Sequence, residues 1–224
     1  MIKFIISIVL ALASTFAHAQ LKGSGKTVTK TYNYKNFDKV YFEDLDGKIE
    51  VEVGKPYSIS ITIDDNLEKL LSVSENSAEK NLTVSLKGNR NNKMYIEDTK
   101  IKVIITVPFL IKVSNNGNSG LNITGINTEN FKSTNPVNGS TTLSGIVNYL
   151  EISCSGNGNL YAEKLITKNA KVICRGNGNA KLNVSYSLTG MVSGNGNIIN
   201  YGKAKFDSKS TTSGNGSLNG KKNN

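Results

Sequence analysis

The chain has 224 residues, 38% of them apolar and 7% aromatic, and carries 27 Lys and Arg against 17 Asp and Glu for a net charge of +10. Its one histidine, His18, lies near the start, it has no Trp, and it has two cysteines. Beyond His18 that excludes a histidine-based triad, a histidine proton shuttle or a histidine zinc site, and the remaining length of about 200 residues suits one domain.

Lys3, an apolar run over 4–13 and the small-x-small triplet Ala17-His18-Ala19 form a secretory signal, with cleavage expected between Ala19 and Gln20. The apolar run is too short for a permanent membrane span, and no later run is long enough. No cysteine stands immediately after the cleavage point, which argues against a lipoprotein anchor. The mature protein is therefore expected outside the cytoplasm, in the periplasm or at the cell surface. Residues 20–35 read as a flexible polar leader.

Residues 36–113 read as irregular strands. Lys48-Ile49-Glu50-Val51-Glu52-Val53 alternates as a half-buried strand does, Gly54-Lys55-Pro56 is a turn, and 57–63 alternates again. Asp64-Asp65-Asn66 breaks that strand, and 67–71 suits one helical turn. Further strands are expected at 37–42, 82–86 and 101–107, the last ended by Pro108, with an exposed loop at 87–93.

From 114 to 219 a Gly-Asn motif returns at a nearly fixed interval. Its full copies are Ser155-Gly156-Asn157-Gly158-Asn159, Arg175-Gly176-Asn177-Gly178-Asn179, Ser193-Gly194-Asn195-Gly196-Asn197 and Ser213-Gly214-Asn215-Gly216-Ser217. Two degenerate copies centre on Asn118 and Asn138. The interval, about 20 residues, is too short for a helical hairpin or a propeller blade and suits one coil of a solenoid of short strands and tight turns. Gly and Asn tolerate the positive φ that such corners are expected to need. Asn118, Asn138, Asn157, Asn177, Asn195 and Asn215 are expected to stack as a structural amide ladder. The motif lacks the Asp of calcium-binding β-rolls, and its regular return argues against a phosphate-cradling loop. Between the corners, parity turns Leu150, Ile152 and Cys154 inward, then Ala170, Val172 and Cys174, then Leu188, Gly190 and Val192. The polar Ser208, Ser210 and Thr212 mark a capping or fraying end, and 220–224 is a polar tail.

Cys154 and Cys174 fall at one place in adjacent coils. Strands about 4.8 Å apart permit a disulfide, but in-register side chains point the same way, and two stacked interior thiols are the reading preferred.

Several pieces stand in a specific order. They are Phe37-Asp38-Lys39-Val40, the strand pair at 49–53 and 57–63, Asp64-Asp65-Asn66-Leu67, Leu82-Thr83-Val84, Ile104-Ile105-Thr106-Val107-Pro108, Gly125-Ile126-Asn127 and the Gly-Asn corners. In these the chain resembles the head GIN domain family of auto-transporter-like adhesins, exported proteins of Bacteroidetes-type bacteria. The resemblance implies a right-handed parallel β-helix and no known catalytic residues, and the sequence itself offers no cofactor-binding or metal-binding residues.

After Val113 there are eleven basic residues and four acidic ones, Glu129, Glu151, Glu163 and Asp207. The excess favours an acidic polysaccharide or an envelope surface as partner, although scattered lysines also serve simply as a solvated face. Nucleic acid is not indicated, and open coil ends offer edges through which copies could associate. The leading expectation is a non-catalytic exported binding or structural module. The alternatives are a carbohydrate-active enzyme, disfavoured because the four acidic residues share no register, and an envelope stress or signalling scaffold.

Overall fold

The computed structural model describes residues 20–87 and 95–220. The signal segment 1–19, most of the expected loop at 87–93 and most of the tail lie outside the described residues. The described chain is all-β, with one 3-10 turn at Asp65–Leu70.

Strands β3 (Lys39–Glu43), β4 (Gly47–Val53), β5 (Ser58–Asp64), β7 (Asn81–Leu86) and β9 (Ile101–Val107) form where alternation calls for them. β6 (Leu71–Asn76) and β10 (Lys112–Asn116) join them. Four long strands follow, β11 (Gly120–Asn135), β12 (Thr141–Cys154), β13 (Leu160–Cys174) and β14 (Ala180–Ser193). Three short ones close the series, β15 (Ile198–Asn200), β16 (Thr211–Ser213) and β17 (Leu218–Gly220). The long strands bend at register shifts, as between Ile123 and Ile126 of β11.

One elongated, unclosed mixed sheet contains almost every strand. Its main order is β17-β15-β14-β13-β12-β11-β10-β3-β7-β6. All neighbours from β10 to β17 are parallel and advance by a near-constant step. Ser114 pairs with Thr134, Thr134 with Ser153, Ser153 with Ile173, Ile173 with Met191 and Met191 with Thr211. The offsets, 20, 19, 20, 18 and 20 residues, are the spacings of the motif asparagines.

The N-terminal strands continue the same ladders. Val40 pairs in parallel with both Leu82 and Val113, and Ile49 with both Val103 and Leu121. Antiparallel strands finish that end, β6 on β7, β5 on β9, and β2 (Thr27–Tyr32) on β5. Residues 20–35 are thus not a loose leader. They carry β1 (Gln20–Lys22), paired with β8 (Tyr95–Glu97), and β2. The reason is a buried carboxylate. Asp64 is fully buried and accepts the Gly25 N–H at 2.8 Å and the Lys100 N–H at 2.6 Å, because a buried charge must recover the hydrogen bonds it loses to water. The Asn66 amide adds bonds to Lys22 O (2.7 Å) and from Ser24 N (3.0 Å).

The core runs as columns between the corners. Leu150, Ala170 and Leu188 stack, as do Ile152 and Val172, and all are buried. At Gly190 the column omits a side chain because Phe206 fills the space: a Cβ there would stand 2.6 Å from the Phe206 ring. Phe206 bridges to Leu188, and Asp207 and Ser210 bond Thr189 Oγ1 and the Gly190 N–H. The polar last coil therefore closes the end of the core with one aromatic ring.

Candidate functional site

The asparagines form a continuous chain of side-chain amides. Nδ2 of Asn138 donates to Asn118 Oδ1 at 3.5 Å, Asn157 to Asn138 at 2.8 Å, Asn177 to Asn157 at 2.7 Å, Asn195 to Asn177 at 2.8 Å and Asn215 to Asn195 at 3.1 Å. All of these bonds are solvent-exposed. The second Asn of the motif makes another ladder, which sequence reasoning missed. Oδ1 of Asn159 accepts both the backbone and amide N–H of Asn179, and Asn179 does the same for Asn197. Three buried asparagines brace corners from inside, two of them the corners of Asn118 and Asn138. Asn115, Asn135 and Asn200 each donate to a carbonyl four residues on, of Ser119, Gly139 and Ala204.

The corner glycines are present for a different reason from the one expected. Positive φ occurs at Gly194 and Gly214 but at none of Gly156, Gly158, Gly176, Gly178, Gly196 and Gly216. Stacking decides instead: a Cβ on Gly178 would overlap the carbonyl oxygen of Gly158, and one on Gly196 that of Gly178. Corners one strand spacing apart leave no room for a methyl group.

Cys154 and Cys174 are Cα partners on β12 and β13, both free and buried. The neighbouring Cys174 thiol, then burial, push the Cys154 thiol well above its ordinary range. Their column continues from Asn135 to Val192.

The outer surface carries the features that suit binding. Two hollows, of about 500 Å³ and 820 Å³, lie side by side and share Thr128 and Glu129. The first has Phe109 and Tyr149 on its walls with Lys39, Lys112, Lys132 and Glu151; the second has Ile146, Ile166 and Tyr186 with Lys168. Lys132 pairs with Glu151 at 2.7 Å, and Asn148 donates to Glu129 at 2.7 Å. The Lys112 ammonium lies 5.0 Å from the Tyr41 ring centre and that of Lys168 6.0 Å from Tyr186. So Glu129 and Glu151, which share no register, do border one hollow. Sequence reading had no route to this grouping, because Lys39 meets Lys112 and Lys132 only through the cross-chain pairing of β3, β10 and β11. Among the described residues no three of His, Cys, Asp and Glu cluster to hold a metal ion.

A profile of the family described as "Putative auto-transporter adhesin, head GIN domain" matches residues 36–204. The chain belongs to the head GIN domain family. Crystal structures share the fold of this head GIN protein at low identity. A putative adhesin from Bacteroides fragilis is 23% identical over 89% of this chain and 99% of its own, with a TM-score of 0.64. A putative adhesin from Parabacteroides merdae is 20% identical over 91% and 100%, with a TM-score of 0.54. A putative lipid binding protein from Parabacteroides distasonis is 18% identical over 91% and 100%, with a TM-score of 0.50. No curated protein matches the chain. No helix among the described residues is long and apolar enough to cross a membrane.

Proposed function

We propose that this head GIN protein is an exported, non-catalytic module that contacts envelope or extracellular glycans through the outer surface of a right-handed parallel β-helix. In this reading residues 1–19 are a signal removed before Gln20, and 36–219 form one β-helix domain. Removal of Lys3 with the signal leaves 26 basic residues against 17 acidic ones. The observation that carries the reading is the pair of adjoining hollows, where exposed aromatic rings and lysines stand on a rigid ladder of strands. A rigid scaffold with adaptable side chains on its surface suits recognition of an extended partner. Membership of an adhesin-like family supports the same view.

The rival enzyme reading draws on Glu129 and Glu151 in one hollow. A general acid needs a desolvated carboxyl, whereas Glu129 is exposed and Glu151 is held by Lys132. A glycan binding screen on the mature protein, run with a reducing-end release assay, tests both readings. Retention of polysaccharide without cleavage is expected. Release of new reducing ends would replace the binding reading by the enzyme one, and retention of no envelope polymer would remove it.

A further inference from the structure

Seven large apolar side chains are exposed among the described residues, and five of them, Phe109, Tyr149, Ile146, Ile166 and Tyr186, border the two adjoining hollows. The placement of three of them follows from register. Ile146 and Ile166 are direct cross-strand partners, and Tyr149 stands between Asn130 and Asn169. A second outward column runs beside Tyr149: Lys39, Lys112, Lys132, Glu151 and Lys171 are successive partners from β3 to β13. Neighbouring strands lie about 4.8 Å apart, so three lysines stand in a row, with Glu151 beside Lys132 and Asp38 3.9 Å from Lys39. The hollows together cross the strands from β3 through β10 to β14, about 24 Å along the stacking direction.

Resting on the glycan reading above, we propose that the two hollows form one trough for a stretch of acidic polysaccharide lying along the stacking axis. Tyr149, Phe109 and Tyr186 offer their ring faces to sugar rings, and Lys39, Lys112 and Lys168 meet its carboxylates. Charge complementarity selects this occupant. Lys39, Lys112, Lys132 and Lys168 outnumber Glu129 and Glu151 along the trough. Asn127, Thr128, Asn130 and Asn148 also border the hollows and would lose their water to a lipid tail with no partner in return, whereas sugar hydroxyls supply one.

The test uses the whole mature chain, polygalacturonate oligomers, their carboxyl-reduced neutral counterparts and vesicles of phosphatidylglycerol and phosphatidylcholine. Tyr149→Ala and Lys112→Glu are expected to weaken oligomer binding about tenfold or more, the usual size of an interface hot-spot loss. Tyr201→Ala is exposed and outside both hollows, and should change binding by less than about twofold. Near-identical melting temperatures for the three variants keep a folding defect from mimicking the result. Equal loss at Tyr201, or none at Tyr149 and Lys112, would overturn this site while leaving glycan binding standing. Equal affinity for the neutral oligomers, or binding to vesicles alone, would overturn the acidic ligand. Failure of the wild type to bind any glycan would overturn the broader reading as well.

Discussion

At the scale of single residues the corners separate two effects that the motif conflates. The amide of Asn177 donates in an exposed ladder, so Asn177→Leu exchanges a protein bond for water and should cost only about 1 kcal/mol. Gly178 faces the backbone oxygen of Gly158 with no room for a methyl group. Gly178→Ala should therefore cost about 2–3 kcal/mol, the price of overpacking against a backbone that cannot yield. Chemical denaturation of both variants checks the order; a costlier Asn change would show that the ladder outweighs the packing. The thiols make a second residue-scale prediction. The folded Cys154 thiol titrates above its unfolded value, so the native state holds its proton longer. Its stabilising contribution is complete below about pH 8.5 and declines as pH rises beyond it. Cys154→Ala should flatten the alkaline side of the stability profile, and labelling the unfolded, never-reduced protein should find two reactive thiols.

At the scale of elements, the C-terminal end shows how a parallel ladder can be stopped. The ring of Phe206 sits where a side chain at Gly190 would be, and Leu218 approaches the same place. Phe206→Ala should cost about 2 kcal/mol through lost apolar burial. Gly190→Ala should be destabilising alone, because its Cβ meets the ring, yet neutral or favourable beside Phe206→Ala, where it fills part of the space left. A double-mutant cycle reads this as a coupling energy, and additive effects would show that ring and glycine do not share the site. At the other end antiparallel β2, β5 and β6 replace the parallel step. The two ends therefore present different edges to a neighbouring molecule.

For the whole molecule, the excess of lysine over carboxylate predicts binding that salt weakens. Affinity for an acidic polysaccharide should fall about tenfold or more between about 0.01 M and about 0.15 M salt, as the screening length shrinks from about 30 Å to about 8 Å. Salt-insensitive binding would assign recognition to the aromatic rings alone. Mass spectrometry of the exported protein should find an N-terminus at Gln20; retention of Met1 would count against cleavage.

The sequence by itself determined the local matters. The interval of the Gly-Asn corners sets the offset between strands, because each corner must stack on the next. Strict alternation decides which of Leu150, Glu151 and Ile152 turns inward, because successive side chains on a strand face opposite ways. The first amide ladder was legible too, since Asn118, Asn138, Asn157, Asn177, Asn195 and Asn215 recur at the step by which the strands pair. The tertiary structure decided the rest, and in each case through contacts between residues distant in the chain. β3 lies between β7 and β10, a pairing no local pattern encodes. The leader is held by Asp64, which reads in sequence only as the start of a break in the strand. Six of the eight corner glycines are set by a carbonyl of the neighbouring corner rather than by their own φ, and Gly194 and Gly214 by both. The trough assembles Lys39, Lys112, Lys132 and Tyr149 from strands that become neighbours only when the ladders stack. Alternation says that each of these side chains points outward, but only the register says which of them point out together.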